Sequence, residues 1–307
     1  MNATDVMDHV VTRLVDAIEA GTDDWQMPWR TLSTTGWPTN AVTGNRYSGG
    51  NVLALYFAAV DHNYPTARWA TYKQWQGCGA QVRKGERGTL GIFWKTTDTT
   101  NNDDTETADD DDADGPTQRR RNAWARTFTV FNAAQVDNDP QPTEPVAVAP
   151  LDRDARADAF FAAIPAAVRW GSGSPCYRPT SDDVVMPCFD AFHTAADAYA
   201  TLAHELTHWT GHPSRLARTY GRRFGDDAYA AEELVAELGA AFTCALVGID
   251  TVARTDHAGY LAHWCQMLRA QPSILWTVAA KAQAAADWLA AYSTTPADSD
   301  VLEPAAA

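Results

Sequence analysis

Apolar residues recur at helical spacing over the first twenty positions. Val6, Val10, Leu14 and Ile18 form one stripe, and Gly21 follows as a stop, which predicts an N-terminal amphipathic helix. Residues 51–61 repeat the helical pattern, whereas 90–95 and 124–131 have the β-branched and aromatic content of strands. The second half is Ala-rich, and its apolar spacing predicts helices near 152–165, 195–211, 228–247, 257–270 and 273–292. A short strand is expected at 183–186, ahead of the central helix pair. No internal repeat is visible.

Two stretches interrupt this patterning. Residues 96–121 are acidic first and then end in Arg119-Arg120-Arg121; they are too polar to pack and read as a disordered insertion in a hairpin. Residues 137–150 contain four prolines and read as an interdomain linker. The expected fold class is therefore α+β in two domains. An α+β domain spans 1–136, with the acidic insertion at 96–121, and a mostly helical domain spans 151–307.

Composition changes this picture only at the edges. With 307 residues and 45% hydrophobic content the chain can bury a sizeable core. Its formal charge of −15 argues against nucleic acid as a partner, but residues 98–114 alone carry nine acids and no base. Five cysteines without CxxC spacing form neither a disulfide framework nor a cysteine metal cluster; Cys78, Cys176, Cys188, Cys244 and Cys265 read as buried small apolar groups in a reducing compartment. No run of eighteen apolar residues occurs, and the first helix carries Asp5, Asp8, Asp16 and Glu19. The expectation is a cytoplasmic protein with no membrane partner.

The second half holds the sharper chemistry. His204-Glu205-Leu206-Thr207-His208 is an HExxH sequence inside a helical window, so both imidazoles lie on one face and can reach one ion. Neutral imidazole suits Zn²⁺, and Glu205 is placed to act as general base toward the attacking water. A catalytic site wants a third protein donor. Downstream, Glu233 and Glu237 stand four apart on a second helix, which makes Glu233 the candidate third ligand and Glu237 a carboxylate accepting from a ligating histidine. Glu232 is the fallback if that helix is rotated. The competing pattern HExxHxxG continues to a third histidine in other sequences, but Ser214 occupies that position here and His212 comes two residues early. One Zn²⁺ per chain is expected, and the donor set also accepts other divalent ions.

Weaker candidates sit around this centre. Tyr220 and Tyr229 lie between the two helices and could stabilise an oxyanion or simply be core. Residues 183–187 read as an edge strand, either open to an extended peptide or merely stopped by Pro187.

In the first half, residues 25–95 carry eight bases against two acids, and five tryptophans fall among turn glycines between Trp25 and Trp75. Sequence-tolerant binding of single-stranded DNA uses such a mixture, cations along the phosphates and rings against unpaired bases. Trp25, Trp29, Arg30, Arg46, Tyr47, Arg68, Trp69, Lys73, Trp75, Arg83, Lys84 and Arg87 are the candidate contacts. The competing reading places most of the tryptophans in the core and the bases on a solvated face. The acidic tract is either a solvated loop or a polyanion competing with DNA for that face.

Taken in order, these motifs resemble one family along nearly the whole chain. His204 to Gly211, Arg215-Leu216-Ala217-Arg218 and Tyr229 to Gly239 resemble the ArdC-type antirestriction proteins of plasmids and phages. So do Met27-Pro28-Trp29, the stretch 40–51, Trp69 to Trp75, Arg83-Lys84-Gly85-Glu86 and Phe131 to Val136 in the first half. The resemblance implies an N-terminal domain that binds single-stranded DNA and a C-terminal zincin-like metallopeptidase domain, in a protein that protects incoming mobile DNA from host restriction. It implies a gluzincin-like zinc hydrolase acting on a protein or peptide, such as a restriction-system component. The alternative is a non-catalytic coat on single-stranded DNA whose metal site is structural. The N-terminal part also resembles a domain of some plasmid primases.

Overall fold

The computed structural model of the chain describes residues 2–20, 32, 36–98, 121–140, 150–171, 173–218, 227–249 and 258–293. The predicted first helix is α1 (Ala3–Ala20), whose Val6, Val10, Leu14 and Ile18 are all buried. α2 (Gly50–Asp61) follows, and its residues are buried almost all round, as expected of a helix with little polar content. A one-and-a-half-turn helix, α3 (Tyr72–Gly77), was not legible in the apolar spacing. It is nucleated locally by a capping box, in which Thr71 Oγ1 accepts from the Gln74 amide at 3.3 Å and Gln74 Oε1 accepts from the Thr71 amide at 3.0 Å.

The first half is organised on a four-stranded sheet, β1 (Thr39–Asn40), β2 (Arg68–Ala70), β5 (Arg121–Asn132) and β4 (Thr89–Asp98), in that spatial order. β1 and β2 pair in parallel, while β2–β5 and β4–β5 are antiparallel. The β4–β5 ladder runs from Thr89 opposite Val130 to Asp98 opposite Arg121. The hairpin thus takes in Thr96 to Asp98 at one end of the segment read as the insertion and Arg121 at the other; residues 99–120 lie outside the described residues. A second small ladder joins β3 (Gln81–Val82) to β6 (Val136–Asp137).

The stretch expected to be a linker is partly built into the fold. Asp137 belongs to β6, and Asp139 holds an ion pair with Arg68 at 2.6 Å, about seven-eighths buried on both sides. Residues 141–149 lie outside the described residues, and α4 starts at Pro150 (Pro150–Ala163).

The second half places α5 (Ala195–Thr210), α6 (Asp227–Val247), α7 (Ala258–Ala270) and α8 (Ser273–Ala290) close to their expected positions. A three-stranded sheet lies beside α5, with β7 (Ala167–Gly171) and β8 (Cys176–Arg178) flanking β9 (Asp183–Pro187). β9 is central, parallel to β7 and antiparallel to β8. The edge-strand reading of 183–187 is therefore corrected: both sides of β9 are already paired. The strands missed by sequence, β7 and β8, are short and largely exposed, so they carry little apolar signal.

One apolar core runs through both halves. Val6, Val10 and Leu14 of α1, Val52 and Phe57 of α2 and Ile92 of β4 cluster with Leu234, Leu238 and Phe242 of α6 and with residues of α7 and α8. The opposite face of α6 (Ala240, Cys244, Val247) belongs to a second core with Leu202, Leu206 and Trp209 of α5 and Val184 and Met186 of β9. Two glycines permit the closest approaches. A Cβ on Gly239 would lie 2.5 Å from Thr207 Cγ2, which lets α5 and α6 meet at the HExxH sequence. A Cβ on Gly50 would lie 2.4 Å from the Trp276 ring, which seats α2 against α8. Of the cysteines, Cys244 and Cys265 are buried as expected, Cys78 is half-buried, and Cys176 and Cys188 are exposed, against expectation. Among the described residues no helix is long and apolar enough to cross a membrane.

Candidate functional site

α5 begins at a capping box, Thr194 Oγ1 accepting from the Asp197 amide at 3.1 Å and Asp197 Oδ2 accepting from the Thr194 amide at 3.0 Å. From that fixed start, the i and i+4 spacing turns His204 and His208 toward α6. Their Nε2 atoms are 3.2 Å apart. Glu233 of α6 meets both, its Oε2 3.7 Å from His204 Nε2 and its Oε1 3.6 Å from His208 Nε2. One donor atom from each of the three residues lies within 4.8 Å of the others.

Each imidazole is backed on its other nitrogen by a separate carboxylate. His204 Nδ1 is 2.8 Å from Glu237 Oε1, and His208 Nδ1 is 3.3 Å from Glu232 Oε1. The Glu237 position is the one the sequence suggested. Glu232 is not a spare ligand but the partner of His208, and it is gripped in turn by Arg218. That guanidinium donates from Nε to Glu232 Oε2 at 3.2 Å, from Nη1 to Thr210 Oγ1 at 2.7 Å and from Nη2 to the Thr207 carbonyl. Arg218 stood inside a quoted motif without a role, because nothing in its local spacing announces that the chain folds back onto α5.

Glu205, one residue along from His204, turns toward the sheet. Its Oε2 accepts from the Tyr177 amide of β8 at 2.8 Å. Glu205, Glu232, Glu233 and Glu237 are all buried, with exposures of 5–8%, against the single buried guanidinium of Arg218. Burial opposes a charge on His208, yet the hydrogen bond with Glu232 and the nearby Glu233 and Glu205 outweigh it and raise its pKa above the ordinary value. Burial works against the Glu232 carboxylate too, and His208 and Arg218 overcome it and lower its pKa. Among the described residues, buried carboxylates therefore outnumber buried cations around the two histidines.

The other candidates fall outside this cluster. His212 Nδ1 is 2.8 Å from Ser214 Oγ in the loop after α5. That loop is pinned by Arg215, stacked 3.9 Å from the Trp209 ring and paired with Asp182. Tyr229 is half-buried one turn before Glu233 on α6, and Tyr220 lies outside the described residues.

In the first half the structure sorts the expected contacts sharply. Trp69 and Trp75 are fully buried, Trp75 donating its indole N–H to the Phe131 carbonyl at 3.0 Å; neither ring can stack on a base, and both are corrected to core. Arg68 is committed to Asp139, and Arg83 to Glu86 at 3.1 Å and to the carbonyls of Val136 and Ala134. Arg68, nearly buried in its pair, is corrected to a framework residue, whereas Arg83 keeps a side chain 42% exposed beside those pairings. Arg46, Lys73, Lys84 and Arg87 are exposed, and Tyr47 is half-buried with its ring stacked on Phe128 at 6.3 Å. Trp25, Trp29 and Arg30 lie outside the described residues. The exposed aromatics that sequence missed are Tyr72, Phe93 and Trp94.

Comparison with known proteins follows the same division. Residues 4–131 match the N-terminal domain of the anti-restriction factor ArdC, and residues 155–281 match a zincin-like metallopeptidase domain. The y4eC protein of Sinorhizobium fredii is 42% identical over 95% of this chain and 93% of its own length. A DNA primase TraC of Escherichia coli is 36% identical over 93% of this chain, which spans 27% of that longer protein. Two crystal structures of the antirestriction ArdC protein from plasmid R388 superpose on the fold. The metal-free form has 35% identity, a TM-score of 0.72 and coverage of 94% of this chain and 97% of that one. The Mn(II)-bound form has 34% identity, a TM-score of 0.74 and coverage of 94% and 98%. With that identity sustained across both halves, the chain belongs to the ArdC family of antirestriction proteins.

Proposed function

We propose that this protein protects incoming DNA from restriction by binding it as a single strand through the first half and acting as a metal-dependent peptidase through the second. The observation that carries the reading is the convergence of His204, His208 and Glu233 from two helices, each histidine backed by its own buried carboxylate. Three donors held about 2.0–2.2 Å from one tetrahedral ion stand roughly 3.3–3.6 Å apart. Here the two Nε2 atoms are 3.2 Å apart and each lies 3.6–3.7 Å from an oxygen of Glu233, His208 from Oε1 and His204 from Oε2, which is close to that spacing. A divalent cation also offsets the excess of buried carboxylate. The Mn(II) form of the R388 protein supports a divalent ion, and the imidazole-rich donor set favours Zn²⁺, one per chain.

When bound, the ion supplies Lewis-acid polarisation of a substrate carbonyl. Glu205 then has the general-base role: it takes a proton from the attacking water and returns it to the leaving amine. The Tyr177 amide holds that carboxylate by Oε2 on the sheet side of α5. Glu237 and Glu232 fix the imidazole orientations from behind. Exposed Arg46, Lys73, Lys84 and Arg87 support a phosphate-tracking face on the first half.

The test is antirestriction during transfer of unmodified DNA, comparing wild type with Glu205→Gln at equal expression and metal content. Loss of protection is expected. Full protection by the variant would remove hydrolysis from the mechanism and leave DNA coating over a structural metal.

A further inference from the structure

A groove with a volume of about 1010 Å³ lies between the two halves. One wall is Ser48 to Asn51 and Ile92 to Trp94 from the first half; the other is the exposed side of α8, including Thr277, Ala280, Lys281 and Ala284. We propose that this groove, shared by the β4–β5 hairpin and α8, is where the single strand of DNA is held. The inference rests on the DNA-binding reading above and locates it.

Four observations carry it. Phe93 and Trp94 border the groove and are 58% and 48% exposed, whereas Trp37, Trp69 and Trp75 are buried. Consecutive on a strand, their rings stand on opposite faces of the hairpin, so a linear ligand crossing that edge meets one ring and then the other. Stacking of this kind is sequence-tolerant because every base has a π-face. Second, Asn51 closes the edge of β4 only at Ile92, donating to its carbonyl and accepting from its amide, both at 2.8 Å, so the hairpin projects beyond that point.

Third, the α8 wall presents exposed polar side chains, Thr277 and Lys281, that can meet a base edge or a phosphate, while Asp287, the acid in the lining, accepts from the Gln283 amide nitrogen at 2.9 Å. Fourth, cations stand beside the groove, with Lys281 on the α8 wall and Arg126 directly opposite Phe93 in the hairpin register. The small side chains of Ala280 and Ala284 leave room for a sugar–phosphate backbone to approach.

The inference separates this chain from a simple N-terminal DNA module, because α8 belongs to the second half. The experiment is fluorescence anisotropy of labelled (dT)₁₂ on full-length protein, comparing wild type, Phe93→Ala/Trp94→Ala and Lys281→Glu, with thermal melts confirming that each variant folds. The aromatic pair should lose on the order of ten-fold or more in affinity. Lys281→Glu should weaken binding several-fold and flatten the log–log salt slope by about 0.7. If wild type binds and both variants stay within two-fold of it, the groove is not the site while the DNA-binding reading survives. If wild type does not bind (dT)₁₂ at all, that reading fails and this inference falls with it.

Discussion

The two halves of the molecule met their sequence expectations in opposite ways. On α5 and α6 the candidate residues converge on one point, with His204, His208 and Glu233 within reach of a single ion and Glu237 behind His204. In the first half the candidates scatter: Trp69 and Trp75 are core, Arg68 and Arg83 are tied to carboxylates, and the rings left at the surface are ones no pattern marked. The difference lies in what each inference used. Spacing of three or four on a helix is a statement about geometry, since the backbone dictates which side chains share a face. A mixture of bases and aromatics is a statement about composition, and composition does not say which ring the core will claim.

The contrast has a sharp consequence for single substitutions. In the helical cluster one residue should be decisive, whereas on the basic face no one residue should be. Apparent zinc-binding energies of about 10–16 kcal/mol spread over a handful of donors make each worth roughly 3–5 kcal/mol, so His208→Ala should cost on the order of 10³-fold in metal affinity. Competition with a chromophoric chelator measures this. Lys73→Ala should change affinity for a labelled oligonucleotide by only a few-fold, as befits one of several exposed cations. If Lys73 proved decisive and His208 dispensable, the comparison would be upside down.

Next in size is a test of the corrected tryptophans. Trp69→Ala should destabilise the fold by about 3–5 kcal/mol, because it removes a fully buried indole that packs with Leu55, Ala59 and Val130. Trp94→Ala, at an exposed position, should change stability by less than about 1 kcal/mol. Urea unfolding of the two variants side by side decides it. Equal effects would mean that Trp69 is not the core residue its burial indicates.

Smaller again is the effect of the carboxylates behind the histidines. Glu237→Gln should weaken metal binding by about 10–100-fold with the fold intact, since an amide orients His204 less firmly than a carboxylate. Glu232→Gln should cost at least as much, because it also leaves the buried Arg218 guanidinium without its charge partner. Calorimetric titration with Zn²⁺ measures both. If the Glu232 variant bound like wild type, the Arg218–Glu232–His208 chain would be packing alone.

How much of this was legible follows from the same physics. The long helices were readable to within two or three residues because their apolar faces are long enough to establish a period, as Val6–Ile18 do for α1. The short strands β7 and β8 were not, since five and three mostly exposed residues contain no alternation to detect. Arg218 was invisible for another reason: its partner Glu232 is fourteen positions away, across a change of direction that only tertiary structure reveals. The motif Phe131 to Val136 was visible as a resemblance but not as a mechanism. Asn132 is fully buried, caps the turn at Ala134 and donates to the Thr66 carbonyl, so this residue of the motif ties strands together.

The smallest expected effect concerns the sheet that holds Glu205 in place. Asp183 of the central strand pairs with Arg178 of β8 and, at 3.0 Å, with Arg169 of β7, so one carboxylate ties both flanking strands to β9. Hydrogen bonds from Arg178 and Ser181 hold its pKa down at about 2, below the ordinary value. A depressed folded-state pKa contributes stability above the unfolded value near ~4 and loses it as pH falls through the folded one. Wild type should therefore lose part of its thermal stability between about pH 4 and pH 2, and Asp183→Asn, with no charge to lose, should show a shallower decline over that window in metal-free protein. The same substitution should loosen β8, whose Tyr177 amide positions the Glu205 carboxylate, and so lower hydrolysis at neutral pH modestly while metal affinity stays unchanged. An acid limb identical to wild type would show that the strands are held by their ladders alone. A parallel loss of metal affinity would show that the sheet supports the histidines as well as the base.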